Sequence, residues 1–268
     1  MSRVSLLVKK DLREVSRTPA SLAVMTVLPL LFVAVIPAIG LLFLIHVVPA
    51  DELEKARDAL EQLPLPVDVL EGTAIATVLP EIAARYLFAP ILLLVPAMVT
   101  NIIASQSFVG EKERGTIETL LYTPLTSRDL VLGKTIAALV PGLITSAAAH
   151  FIYFIIVNII LVSAGLPMAL MDLGWLLFVV LLTPAIAYLS VICVVAISHR
   201  SKSAQSAQSV GGFLVLPVVA GVISQAVGFF VLDYKAILIL SFITLALCAL
   251  LTWLASRTFR PERIAFIT

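Results

Sequence analysis

Three kinds of residue in this chain could carry chemistry: glycines spaced to cradle phosphate, side chains able to hold a metal, and a dense run of opposite charges. A nucleotide-binding loop needs G-x-x-x-x-G-K-[ST], because its glycines open backbone N–H groups to phosphate and its lysine reaches the outer oxygens. Gly110 and Gly115 have that separation, but Thr116 stands where the lysine belongs. Gly133-Lys134-Thr135 supplies the second half, with Arg128 in place of the first glycine. Neither stretch is expected to bind ATP. His46, His150 and His199 lie far apart in sequence, and Cys193 and Cys248 sit inside apolar runs. Neither a metal centre nor a disulfide framework is expected from them, and no residue is expected to be catalytic. What remains is the charged run Glu111-Lys112-Glu113-Arg114.

That run opens a polar segment between two long apolar stretches. Gly115 interrupts any helix, and Thr116 can cap a short new one, with Glu118 in its first turn where a negative charge suits the helix dipole. Ile117, Leu120 and Leu121 give this helix one apolar side, and Pro124 ends it because proline lacks an N–H. Thr126, Ser127 and Asp129 then read as the cap of the next long helix. The segment 109–128 is thus expected to hold a short amphipathic helix at a membrane surface.

The elements that must position this segment are apolar. Of 268 residues, 60% are hydrophobic and 13% are charged, and the mean hydropathy is +1.10. A soluble domain carries roughly a quarter charged residues, so the fold class is all-α and polytopic in a membrane. Residues 1–19 form an amphipathic interfacial helix: Val4, Leu7, Val8, Leu12 and Val15 share a face, with Lys9, Lys10, Arg13 and Arg17 available to anionic lipid. Residues 20–268 form a transmembrane domain of six spans, at about 20–48, 85–108, 130–163, 173–198, 209–230 and 236–256. The first apolar run is too long for a cleavable signal peptide. Residues 49–84 form a hydrophilic outer loop with eight acidic residues against two basic ones.

Charge sets the orientation. With both termini in the cytoplasm, the inner segments hold fourteen of the eighteen Lys and Arg residues; only Lys55, Arg57, Arg85 and Lys235 fall outside. The positive-inside rule therefore puts residues 109–128 in the cytoplasm of a multi-pass protein of the cell membrane. No Asp or Glu falls well inside any expected span, which speaks against an ion-coupled carrier. The uncharged polar residues Asn101, Gln106, Asn158 and Gln225 are candidates to line a path, and each could equally hydrogen-bond a neighbouring helix.

Glu-Lys-Glu-Arg-Gly-Thr-Ile-Glu (111–118), then Thr123-Pro124, then Leu132-Gly133-Lys134, resembles the loop between the second and third spans of type-2 ATP-binding-cassette (ABC) export permeases. There an acidic-basic run, E-x-G-T-x-E, a following proline and a downstream G-K recur. The resemblance implies a six-span, non-catalytic permease that pairs with a second permease chain, identical or not, and is driven by two separate ABC ATPase subunits. ATP and Mg would be bound on those partners, with no cofactor on this chain and no nucleic-acid partner. It further implies that Glu111, Lys112, Glu113, Arg114, Gly115, Thr116 and Glu118 couple to the ATPase, the charged ones facing the partner and Gly115 making a sharp bend. Lys134 anchors the base of the third span, and the second and fifth spans line the path at the dimer interface. The competing readings are an ATP-independent carrier or channel, which calls for buried ionisable groups, and a membrane scaffold, which gives no reason for the loop. An ABC importer permease would carry an E-A-A…G cytoplasmic loop, which is not found.

Overall fold

A computed structural model describes residues 27, 29–55, 74–113, 115, 127–198, 201, 203–226 and 231–258. Among these there is no strand, and five helices are long and apolar enough to cross a membrane. In chain order the helices are α1 (Leu31–His46), the short α2 (Ala50–Lys55), α3 (Ile75–Gly110), α4 (Ser127–Ser163), α5 (Leu173–Ile197), α6 (Ala204–Gln225) and α7 (Tyr234–Thr258). Two expected elements, the interfacial helix at 1–19 and the short helix after Gly115, lie outside the described residues. The second apolar helix begins at Ile75, not near Arg85, so Arg85 lies within α3. Glu54 of α2 accepts a hydrogen bond from the Ile75 backbone N–H at 3.2 Å, which caps this earlier start.

Local chemistry explains most helix boundaries. Asp172 caps α5 by accepting from Trp175 N, and Asp233 caps α7 by accepting from Ala236 N at 2.8 Å. Ser203 and Ser206 form a reciprocal capping box at the start of α6. Inside the helices, prolines leave a repeated mark. A proline offers no N–H and crowds the carbonyl four residues back. The turn before it widens to bonds that span five residues, the donor standing immediately before the proline: Ile36 N to Leu31 O, Ala89 N to Ala84 O and Thr183 N to Phe178 O. Such π-turns occupy Leu31–Val35 before Pro37, Ala83–Phe88 before Pro90, and Phe178–Leu182 before Pro184. A fourth π-turn, Gln106–Gly110, has no proline beyond it.

The long α3 is the hub of the bundle. Of its most apolar window 83% is buried within the chain, against 33% for α4, 22% for α7 and 11% for α6. It is therefore largely enclosed by its own neighbours. Small and hydroxyl side chains let the helices close on it. Thr100 donates to Pro96 O at 2.6 Å and approaches Ala187 O of α5 at 3.3 Å, while Ser190 of α5 donates to Ala97 O at 2.8 Å. Tyr153 of α4, fully buried, donates to Ala84 O at 2.6 Å. On the outside of α4, Leu132, Ile136, Val140, Ile144, Phe151, Ile155 and Ile159 form an exposed apolar stripe, the surface a lipid-facing helix presents.

Candidate functional site

The charged run ends α3. Glu111 to Glu113 continue the helix for one more turn. Gly115 follows with φ of +68°, a left-handed conformation that a side chain disfavours.

The two acids before Gly115 each bond to another helix. Glu111 is 3% exposed, and its carboxylate forms an ion pair with the Lys134 ammonium at the start of α4. Lys134 is equally buried, also donates to the carbonyl of Ser107, and lies 5.6 Å from the Phe108 ring centroid. A side chain that captures a carbonyl inside a helix disturbs its hydrogen-bond ladder. This accounts for the π-turn at Gln106–Gly110, which holds Ser107. The expectation that Glu111 faces a partner is thus corrected: within this chain it is buried against α4.

Glu113 is exposed, and its Oε2 accepts from the backbone N–H of Ala204 at 2.9 Å. That N–H belongs to the first turn of α6, where the helix dipole favours a carboxylate. One turn of helix is therefore tied to α4 through Glu111 and to α6 through Glu113. Of the other residues expected in this set, Lys112 lies in the same turn, while Arg114, Thr116 and Glu118 lie outside the described residues. So do Lys9, Lys10, Arg13 and Arg17.

The polar residues proposed for a path serve mainly to join helices. Asn101 is buried, donates to Gln208 O of α6 at 2.9 Å and accepts from Ser105. A Cβ added at Gly211 would collide with Asn101 Oδ1, so α6 closes on α3 at the one residue type that permits it. Asn158 donates to Phe154 O and accepts from Ala169 N at 2.8 Å, which pins the turn between α4 and α5. Gln106 is half-buried. Gln225 is buried on α6 with no hydrogen-bond partner among the described residues.

A family model described as ABC-2 family transporter protein matches residues 6–246. The chain belongs to the ABC-2 transporter family. No curated protein and no solved structure matches it. Membership makes this chain a membrane permease subunit of an ABC transporter, and permeases of the family work with ABC ATPase partners.

At the opposite end of this ABC-2 permease lies a cluster that the sequence did not single out. Arg85 bonds Asp172 at 2.5 Å and Glu81 at 3.2 Å, joining α3 to the start of α5. The only signals for it were a lone arginine beside an apolar run and aspartates at two helix starts.

Proposed function

We propose that this chain is the permease of an ABC exporter, with six spans, both termini in the cytoplasm and a place in the cell membrane. Two ABC ATPase subunits, binding ATP and Mg, act on a pair of permease chains, identical or not. The coupling set is Glu111, Lys112, Glu113, Arg114, Gly115, Thr116 and Glu118. The observation that carries this is the single helical turn at 111–113, joined to α4 by a buried ion pair and to α6 by a cap. A displacement of the segment beyond Gly115 reaches three spans through these two contacts. Glu111 then transmits motion inward, and the contact with the ATPase falls to residues beyond it.

The cargo in this reading is hydrophobic or amphipathic. A cation with a hard hydration shell needs several oxygen ligands, whereas an apolar body needs apolar walls and a few orienting groups. The test is reconstitution of permease and ATPase in liposomes, with ATPase stimulation and vectorial movement measured for lipophilic compounds and for simple ions. The purified permease alone is expected to hydrolyse no ATP. Robust hydrolysis by the lone chain, or movement of ions with no response to any amphiphile, overturns the reading.

A further inference from the structure

At the end of the bundle away from Glu111, a cavity of about 340 Å³ opens between α3, the α4–α5 turn, α5 and the start of α7. That volume lies in the range of small-molecule sites. Its walls are aromatic: Tyr86, Trp175, Phe178 and Tyr234 line it. The aromatic wall is built in place. Trp175 and Phe178 stack with centroids 5.7 Å apart, and Tyr153 stacks behind Trp175 at 5.8 Å.

The charges in the cavity do not balance. Arg85, Asp172 and Asp233 line it, and Arg85 is already held by Asp172 and by Glu81. Lys235 lies against the Tyr234 ring, its ammonium 5.7 Å from the centroid, and is not among the lining residues. Asp233 is half-buried and forms no ion pair among the described residues; one of its oxygens accepts from Ala236 N. A carboxylate at an apolar mouth attracts a cation more strongly than it would in bulk water. Aromatic faces attract organic cations as well.

The cavity also carries the one backbone outlier among the described non-glycine residues. Leu170, 2% exposed, lines it with φ of +65°. Such strain in a bulky residue persists only where the surroundings fix it, and here Asn158 holds the neighbouring Ala169 N–H.

We propose that this cavity binds a lipophilic organic monocation, its ammonium beside Asp233 and its apolar body against Trp175 and Phe178. This rests on the export reading for its place in transport, and names the class of cargo or ligand taken at that end of the permease.

The test is equilibrium binding to the whole permease–ATPase complex in phosphatidylcholine nanodiscs, without ATP. Tritiated benzyltrimethylammonium is the probe. Its neutral isostere neopentylbenzene and the anion phenylmethanesulfonate, which share its shape, are the competitors. Saturable binding is expected, with neither competitor displacing the probe at equal concentration. Asp233→Asn keeps the helix cap, since asparagine caps as well as aspartate, and removes the charge. It is expected to weaken binding about tenfold or more, the equivalent of roughly 1.4 kcal/mol. Asp51→Asn, exposed on α2 and not among the lining residues, is expected to leave binding unchanged. Equal displacement by the anion, an unaltered Asp233→Asn, or an equal loss in Asp51→Asn overturns the proposal. Because no ATP is present, failure of binding leaves the exporter reading intact. Binding here, with no stimulation of ATPase by the same probe in the liposome assay, supports the site and counts against the export role.

Discussion

Breaking the Glu111–Lys134 pair is expected to be costly in a way that depends on which partner is removed and whether the other remains. Both residues are 3% exposed. Removing one member of a buried ion pair strands a charge, at about 3–5 kcal/mol. Glu111→Met leaves the lysine with the Ser107 carbonyl and the Phe108 ring, neither of which neutralises it. Lys134→Met leaves a buried carboxylate without its lysine and takes one donor from the Ser107 carbonyl. The double variant removes both charges and retains the loss of the lysine bond at Ser107, about 1.5–3 kcal/mol for a hydrogen bond to a charged group. At roughly 2–4 °C per kcal/mol for a chain of this size, each single variant melts about 10 °C below the parent. The double variant recovers about half of that. Thermal melts of the complex in nanodiscs, run as a double-mutant cycle, measure the coupling. Single variants within about 1 kcal/mol of the parent, or a double variant worse than either single, would refute a buried ion pair here.

Other outcomes follow from neighbouring residues. Gly115→Ala is expected to cost about 1–2 kcal/mol from its left-handed backbone alone, and Gly115→Asn less, since the site has open space for a side chain; thermal melts rank the two. Glu113→Ala is expected to lose a cap worth about 1 kcal/mol and to raise amide exchange at Ala204, whereas Glu113→Gln keeps an acceptor and changes little. Gly211→Ala is expected to overpack the α3–α6 contact by about 1–3 kcal/mol, and adding Asn101→Ala is expected to restore part of that loss in the same melting assay.

What was legible in the sequence was legible for local reasons. Hydropathy alone locates the apolar helices, and the α4 and α5 boundaries fall within a few residues of expectation because Ser127 and Asp172 sit at their starts. The left-handed backbone at Gly115 suits its residue type. The early start of α3 was hidden because Pro80 and Glu81 read as loop, while the helix accommodates both and takes its cap from Glu54, far away in sequence. Each π-turn also shifts the phase of the face that follows, so a fixed 3.6-residue period loses the buried side of α3 and α5. The inward orientation of Glu111 was invisible for another reason. A charged run looks the same whether its carboxylates face a partner protein or a lysine on the next helix. Only the packing of α4 against α3 decides between them.

The polar contacts that join the helices differ in how soon they can form as the chain is made. Glu111 meets Lys134 only 23 positions later, as soon as the first turns of α4 emerge. Arg85 waits for Asp172, 87 positions later, and Asn101 for Gln208, 107 positions later. Short closures cost less chain entropy than long ones. Among these three contacts between helices, the one joining α3 to α4 is thus the first that can form during synthesis. A ribosome stalled just beyond α4 would leave behind a two-helix piece already latched at one end, with its α5 and α6 faces still waiting to be covered.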